Sequence, residues 1–224
     1  MDKGLEKEHQ RTYTYHFFFV HGLFEKLFHL EDFITSTDKY LKKELFQRIK
    51  IEKKLKNINS IYGAENQLEN VFPEILWRTT FLHIYNLAES SLDEICRNIQ
   101  EVENYDLMIS DMFGKGINRA ALYLQKVAKK NQSFQTEYWY KLNDFNKIRN
   151  ILVHSGAIVG INNKEIIRII NKYTDKGISL PDFDGYEYSE INFKKEFCVY
   201  TLETVKTFFE ILHVNLNDKK NELF

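Results

Sequence analysis

The chain has 224 residues, of which 43% are hydrophobic, so it is long enough and apolar enough to bury a substantial core. Its formal net charge of −1 excludes a protein that holds nucleic acid through overall positive charge. Because only two prolines and nine glycines interrupt the chain, the sequence predicts long helices rather than a many-stranded sandwich. The predicted fold class is all-α: a helical bundle of about five to seven helices, with an irregular loop or small hairpin before the last helix.

Cysteine spacing and hydropathy exclude several classes of protein. Cys96 and Cys198 stand far apart without a CxxC spacing, which predicts neither a disulfide framework nor a zinc site. The N-terminus lacks the apolar core of a signal peptide, and no stretch approaches the roughly 18 apolar residues of a membrane span. We therefore expect a cytoplasmic protein that uses no metal or other cofactor.

Residues 1–60 are expected to form an N-terminal helical extension that packs on a main helical domain, residues 61–224. Aromatic residues recur at roughly helical spacing over 8–33 and predict a first helix. The sequence Thr-Ser-Thr-Asp at 35–38 predicts a polar break and an N-cap, followed by a second helix over 39–58.

The second predicted helix is strongly basic. Residues Lys39 to Lys56 include eight basic and two acidic side chains, a local charge of +6 in a chain whose net charge is −1. Two interpretations stay open: a solvated helix surface, or a face that attracts a phosphate backbone.

Pro73 fits the first turn of the next helix, which is predicted to run to about Val102. Arg78 and Glu89 are eleven residues apart and fall on the same narrow face as four apolar side chains, Phe81, Tyr85, Leu92 and Cys96. Because an unpaired buried charge is costly, both charged groups need partners. Arg78 and Glu89 either form an ion pair, within this apolar face or at its edge, or they belong to a functional site.

Two further helices are predicted in the second half of the chain. Glycines mark a turn before a short amphipathic helix over 117–129. The next helix is capped by Ser133 or Thr136 and ends before Gly156. Its predicted inward-facing residues are Leu142, Phe145, Ile148, Leu152 and Val153.

Residues 157–190 are less regular. Residues 166–170 fit a strand or a helix, and glycine and proline punctuate a predicted loop or small hairpin around 178–188. Ser189 is the predicted N-cap of a final helix.

The end of the helix before Gly156 holds the best candidates for chemistry. Asn150 and His154 are four residues apart and therefore share a helix face, so the Asn150 amide is expected to orient the imidazole. Arg149 supplies a permanent cation that binds phosphate bidentately. No glycine-rich phosphate loop, HExxH or GxSxG motif offers an alternative centre.

These groups suit cleavage of RNA by its own 2′-hydroxyl. That reaction needs a base for the 2′-hydroxyl, an acid for the leaving 5′-oxygen and a cation for the charge that develops on phosphate. One protomer supplies one such histidine, so two copies around a two-fold axis are expected to complete the site. The alternative is an ordinary helix C-terminus, where basic side chains complement the helix dipole and Gly156 follows as the cap.

The segment Arg149-Asn150-Ile151-Leu152-Val153-His154 resembles the R-x4-6-H motif of the HEPN superfamily, including the polar residue directly after the arginine. Its place near the end of a late helix also resembles that family. The helix over 77–102 resembles the earlier HEPN helix that contributes an acidic residue, here Glu89. The resemblance covers roughly residues 73–215.

Membership in this family implies a metal-independent, homodimeric endoribonuclease, found in toxin–antitoxin, phage-defence or RNA-processing systems, often with an antitoxin or defence partner. Arg149 would then contact the phosphate, His154 would act as base or acid, and Asn150 and Glu89 would support them. One subgroup carries a tyrosine two residues after the histidine. This chain has Gly156 there, which argues against silencing by tyrosine modification at that position.

Two other functions remain open. Some members of the superfamily are catalytically inactive, and the first alternative is such a helical module, which binds a partner protein or a nucleotide. A metal site between carboxylate-rich helices ranks last, because no Glu-x-x-His pairs are present on facing helices.

Overall fold

A computed structural model describes residues 18–55 and 66–217 of the chain. The fold class is all-α, as predicted, with six α-helices in the described residues. The helices are α1 (Glu25–Leu55), α2 (Phe72–Glu103), α3 (Gly116–Lys126), α4 (Glu137–Ser155), α5 (Lys164–Lys172) and α6 (Lys195–Asn217). Short π-helical segments, Phe18–Phe24 and Gln67–Val71, precede α1 and α2. Residues 8–17 of the predicted first helix and residues 56–58 of the predicted second helix lie outside the described residues.

The predicted break at 35–38 is wrong, because α1 continues through it. The polar side chains there bond along the helix instead of interrupting it. Ser36 Oγ donates to Asp32 Oδ1 at 3.4 Å, and Lys42 Nζ donates to Asp38 Oδ2 at 2.9 Å. Ile34, in the preceding turn, is buried and anchors the helix. Four-residue pairing and burial therefore outweigh the weak helix propensity of the Thr-Ser-Thr-Asp run.

The bounds of α2 and α4 agree with the sequence prediction. Pro73 lies in the first turn of α2, where its missing N–H costs nothing. Thr136 precedes α4, and its Oγ1 accepts a hydrogen bond from the Trp139 N–H at 3.4 Å. Gly156, with φ of +60°, follows the last residue of α4, as expected for a helix terminator.

Of the loop or small hairpin predicted around 178–188, the loop is observed, because the strands at its two ends pair with other segments. Strand β1 (Ile158–Gly160) pairs antiparallel with β3 (Tyr188–Glu190), and β2 (Ile178–Ser179) pairs antiparallel with β4 (Asn192–Phe193). Ser189 lies in β3 and does not cap a helix; its Oγ donates to the Pro181 carbonyl at 2.9 Å. The ambiguous stretch 166–170 is helical, within α5.

The chain divides into two compact units, a different division from residues 1–60 and 61–224. Among the described residues, the first unit takes 18–28, 85–143 and 203–217. The second takes 29–55, 66–84 and 144–202.

Each unit has its own aromatic core. In the first, the rings of Phe134 and Trp139 meet edge to face at 5.0 Å between centroids. In the second, Phe145 meets Phe81 at 6.1 Å and Phe197 at 5.6 Å, again edge to face, and all three are fully buried. Such pairs add about 0.5–1.5 kcal/mol to the free energy of burying the rings. The phenylalanines of the second unit therefore fix the part of α4 that leads to the motif.

Candidate functional site

The turn at the end of α4 lies at the boundary between core and surface. Ile148 and Leu152 are buried, whereas His154 is exposed. Val153 was expected to face inward, and this is wrong: 53% of its surface is exposed. At 100° per residue, Val153 lies 100° or more from the buried direction that Ile148 and Leu152 define. The last turn of α4 therefore directs its final side chains away from the core.

Three polar side chains on α4 form a continuous hydrogen-bonded chain. Arg149 Nη1 donates to Asn150 Oδ1 at 3.1 Å, and Asn150 Nδ2 donates to Asn146 Oδ1 at 3.2 Å. All three groups are part-buried. Because both ends of the Asn150 amide engage these neighbours, Asn150 orients the guanidinium rather than the imidazole, contrary to the sequence expectation. Asn146 is a participant that the sequence analysis missed, although its four-residue spacing from Asn150 could have indicated it.

His154 is held differently. It is exposed, and it forms no hydrogen bond or ion pair with the residues that the structure describes. The backbone beyond it is fixed: the Ala157 N–H donates to the Ile151 carbonyl at 3.4 Å, and Ala157, with φ of +73°, is fully buried. The turn therefore presents a free imidazole on a rigid backbone, one helical turn from the Asn150 amide.

Glu89 belongs to the first unit, where its carboxylate lies beside the start of α3. Its carboxylate fills the space beside Gly116: a Cβ built at Gly116 would lie 2.7 Å from Glu89 Oε1. Gly116, with φ of +56°, is the first residue of α3. A carboxylate near the start of a helix is favourable because the first N–H groups there lack partners within the helix.

Arg78, the other charged group on the apolar face of α2, is also paired. Its Nη2 donates to Glu74 Oε1 at 2.6 Å and to Glu190 Oε1 at 2.7 Å. The Glu74 contact is an i,i+4 helix pair that the sequence could have predicted, whereas Glu190 comes from β3, 112 residues further on. The need for partners was predicted correctly, and the partners join α2 to the strand beside the motif.

Apolar side chains are exposed next to the motif. Ile158 lies opposite Glu190, and Gly160 lies opposite Tyr188, on one face of the β1–β3 ladder. Ile158 is 50% exposed and Tyr188 is 63% exposed, while Val159 on the other face is fully buried. Val153, directly before His154, is exposed as well, and we use the name motif-side apolar patch for these three exposed residues: Val153, Ile158 and Tyr188. The sequence analysis missed it, because the β1–β3 pairing is long-range.

A cavity of about 450 Å³ in the second unit lies away from the motif residues. Its wall mixes charges of both signs around Trp77, including Asp38, Lys42, Glu74 and Lys195. Lys195 Nζ and Lys42 Nζ each lie 2.9 Å from Asp38 Oδ2. Burial opposes ionisation of Asp38, but the hydrogen bonds and charges of the two lysines prevail and lower its pKa. Two of the three lysines that line this wall, Lys42 and Lys195, are thus already paired with a protein carboxylate.

The two cysteines offer no nucleophile. Both are buried with free thiols, and Cys198 Sγ donates to the Trp77 carbonyl at 3.1 Å. Burial raises the pKa of the Cys198 thiol to about 12 and raises that of Cys96 as well. Since the thiolate is the reactive form, neither thiol is activated near neutral pH.

No family model matches this chain, and no curated protein or solved structure matches it. In the described part of the chain, no group of three or more His, Cys, Asp or Glu side chains could hold a metal ion. No described helix is both long enough and apolar enough to cross a membrane. The assignment of function therefore depends on the chemistry of the residues themselves.

Proposed function

We propose that this protein is a metal-independent endoribonuclease that acts as a homodimer and uses the RNA 2′-hydroxyl as its nucleophile. The observation that carries the proposal is the turn at the end of α4. There an exposed His154 follows a guanidinium, Arg149, that is held by the Asn150 amide. A titratable imidazole and an oriented cation are the groups that this reaction requires.

The roles follow from the chemistry. One His154 accepts the proton of the 2′-hydroxyl as the 2′-oxygen attacks phosphorus. The bond from phosphorus to the 5′-oxygen breaks, and a second His154, from the other protomer, gives a proton to the leaving oxygen. Arg149 stabilises the charge on the phosphate oxygens, and Asn150 positions Arg149. The products are a 2′,3′-cyclic phosphate and a 5′-hydroxyl.

The proposal needs two copies of the turn in one cleft, and the motif-side apolar patch supports this. Val153, Ile158 and Tyr188 are exposed around the turn, and an exposed apolar surface of this kind is favourable to cover. In a two-fold interface the same patch contacts itself, which would bring both turns together. Following the resemblance of the motif to HEPN proteins, the proposed enzyme acts as a toxin or phage-defence effector, with an antitoxin or defence protein as a partner.

The direct test incubates purified protein with single-stranded RNA in EDTA, beside DNA of the same sequence. We expect RNA to be cut to products with cyclic phosphate ends and DNA to remain intact. Arg149→Ala and His154→Ala should both lose cleavage while they keep the wild-type melting temperature. Arg168→Ala and His83→Ala, exposed residues of the same types in the same unit, serve as matched controls. Full cleavage by both motif variants would refute the site.

The dimer is tested separately. Ile158→Glu places a charge in the patch, while Val214→Glu changes an exposed valine of the first unit as a control. We expect sedimentation to show a dimer that only Ile158→Glu dissociates, with a parallel loss of cleavage. Cleavage by a monomeric Ile158→Glu protein would contradict the shared site.

A second function, a catalytically inactive HEPN-like module that binds a partner protein or nucleotide, is favoured by the same exposed patch. On that hypothesis, wild-type protein leaves RNA intact. Ile158→Glu would then abolish binding of the partner, and His154→Ala would leave it unchanged.

A further inference from the structure

The basic segment of α1 has two faces that differ in their partners. Lys39, Lys43, Phe46 and Lys50 follow one another at steps of four, three and four residues. At 100° per residue they fall within an arc of about 60°. We call these four residues the α1 stripe. All four side chains are exposed, and Phe46 is 68% exposed.

Among the described side chains of this segment, the two cations outside the stripe are already paired. Lys42 bonds Asp38 at 2.9 Å, and Arg48 Nε bonds Glu44 Oε1 at 3.1 Å. By contrast, Lys39, Lys43 and Lys50 form no ion pair or hydrogen bond with the described side chains. Among the described side chains of this segment, the positive charge without an ion pair therefore lies along one line.

Phe46 lies in the middle of that line. Burying a phenylalanine contributes about 1.5–3 kcal/mol to folding, and this ring is left largely in water. A solitary aromatic ring between lysines does not form the continuous apolar face that an interfacial membrane helix inserts. A ring between lysines does fit a single-stranded nucleic acid. The phosphates of such a strand contact the lysines, and one of its bases stacks on the ring.

We propose that the α1 stripe holds single-stranded RNA, with phosphates on Lys39, Lys43 and Lys50 and a base stacked on Phe46. The proposal rests on the proposed ribonuclease function and names how that enzyme binds its substrate. The stripe spans about 16 Å at 1.5 Å per residue, comparable with about five stacked nucleotides at 3.4 Å each. It belongs to the same compact unit as Arg149 and His154.

The test measures binding in a protein that does not cut. In the His154→Ala background, fluorescence anisotropy with a labelled single-stranded RNA gives the affinity over a range of salt concentrations. The triple variant Lys39→Gln, Lys43→Gln, Lys50→Gln should bind at least tenfold more weakly. It should also lower the slope of log affinity against log salt by about 2, since each lost phosphate contact removes about 0.7.

Phe46→Ala should weaken binding about tenfold through lost stacking while leaving the salt slope unchanged. Arg48→Gln, which removes a paired cation of the same helix, is the matched control and should bind like the parent protein. All of these side chains lie at the surface, and circular dichroism verifies the helix in each variant. Wild-type affinity in the triple variant would overturn the proposal.

Binding to vesicles that contain phosphatidylserine tests a membrane surface as the alternative ligand. Vesicle binding that is lost in the triple variant, with RNA binding unchanged, would overturn the proposal in favour of a membrane surface. Cleavage is measured separately, in proteins that keep His154. RNA binding through the stripe without any cleavage would sink the ribonuclease alone, and cleavage with an unchanged KM in the triple variant would sink the stripe alone.

Discussion

The sequence predicts Glu89 and the Arg149–His154 turn as parts of one functional site, yet the structure gives them different surroundings. The Glu89 carboxylate occupies the space that Gly116 leaves at the start of α3. His154 is exposed and contacts no described partner, on a backbone that is fixed on both sides. A charged residue that the fold itself needs is explained by packing. A rigidly presented group that the fold does not need is the better candidate for chemistry.

The largest expected difference between Glu89 and the Arg149–His154 turn is in the rate of RNA cleavage. His154→Ala should lower the rate of RNA cleavage by about 10²- to 10⁴-fold, the usual contribution of a general acid or base. Its free energy of unfolding should stay within about 0.5 kcal/mol of wild type, because an exposed side chain without partners is removed. Single-turnover cleavage and urea denaturation measure the two quantities. A loss of stability that matches the loss of activity would show that His154 is structural and break the comparison.

A residue with a purely structural role should show the reverse. Phe145→Ala removes a fully buried ring from the core of the second unit, where it contacts Phe81 and Phe197. The expected loss in free energy of unfolding is about 3–5 kcal/mol. Urea denaturation gives the value, and Tyr140→Ala, an exposed aromatic on the same helix, is the control. A cost below that of an exposed ring would contradict the assigned core.

The Glu89 assignment is sharpened by comparing two glycines with similar positive φ. Gly116→Ala should cost about 2–3 kcal/mol, because a methyl group meets Glu89 Oε1 at 2.7 Å and the backbone is left-handed. Gly156→Ala should cost only about 1 kcal/mol, because nothing lies within 4 Å of its Cβ position. Equal costs would mean that the carboxylate moves aside freely.

A double-mutant cycle completes that test. In the Glu89→Ala background, the extra cost of Gly116→Ala should fall to the level of Gly156→Ala, a coupling of about 1–2 kcal/mol. Cleavage assays on Glu89→Gln then decide its catalytic role: a large loss of rate with unchanged stability would return Glu89 to the active site.

The smallest expected effect concerns Asp38, on the paired side of α1. Its pKa is lowered from the ordinary value of 3.8, since the two lysines outweigh burial. The ionised form therefore contributes stability that is present above pH 3.8 and is lost as the pH falls through the lower pKa of the folded state. Because the pairs are part-exposed, the contribution should stay below about 1 kcal/mol.

Asp38→Asn tests this by denaturation at several pH values. Wild type should be the more stable protein near neutrality, and the difference should shrink as the pH falls below 3.8. Lys39→Gln, a change in the unpaired α1 stripe, should show no such dependence. A pH-independent difference for Asp38→Asn would contradict the ion pairs.

How far the sequence predicts this molecule depends on the range of the interactions involved. Pro73, Thr136 and Gly156 act on the backbone of their own turn, and the helix bounds that they indicate are correct. The break at 35–38 failed because side chains four residues apart bond along α1. The β1–β3 ladder could not be predicted, since its strands are about 30 residues apart and too short to give a period.

The motif shows the same limit within a single helix. Spacing put Asn150 on the face of His154, which is correct for the backbone, but the amide bonds Arg149 and Asn146 instead. A helical wheel gives directions and cannot rank two partners within reach of one side chain. The exposure of Val153, by contrast, could have been predicted, because the helical wheel places its side chain 100° or more from the buried direction of Ile148 and Leu152.

The ladder beside the motif has a consequence for how the chain acquires its fold. The Ile191 N–H donates to the Ala157 carbonyl at 3.0 Å, so the backbone just after His154 is fastened to a residue 34 positions later. Local contacts form early in folding, whereas a contact of this separation must wait until a long loop has closed. The turn that presents His154 should therefore become ordered late in folding, after α4 has formed. Pulsed hydrogen-exchange labelling of the Ile191 amide during refolding would report when it does.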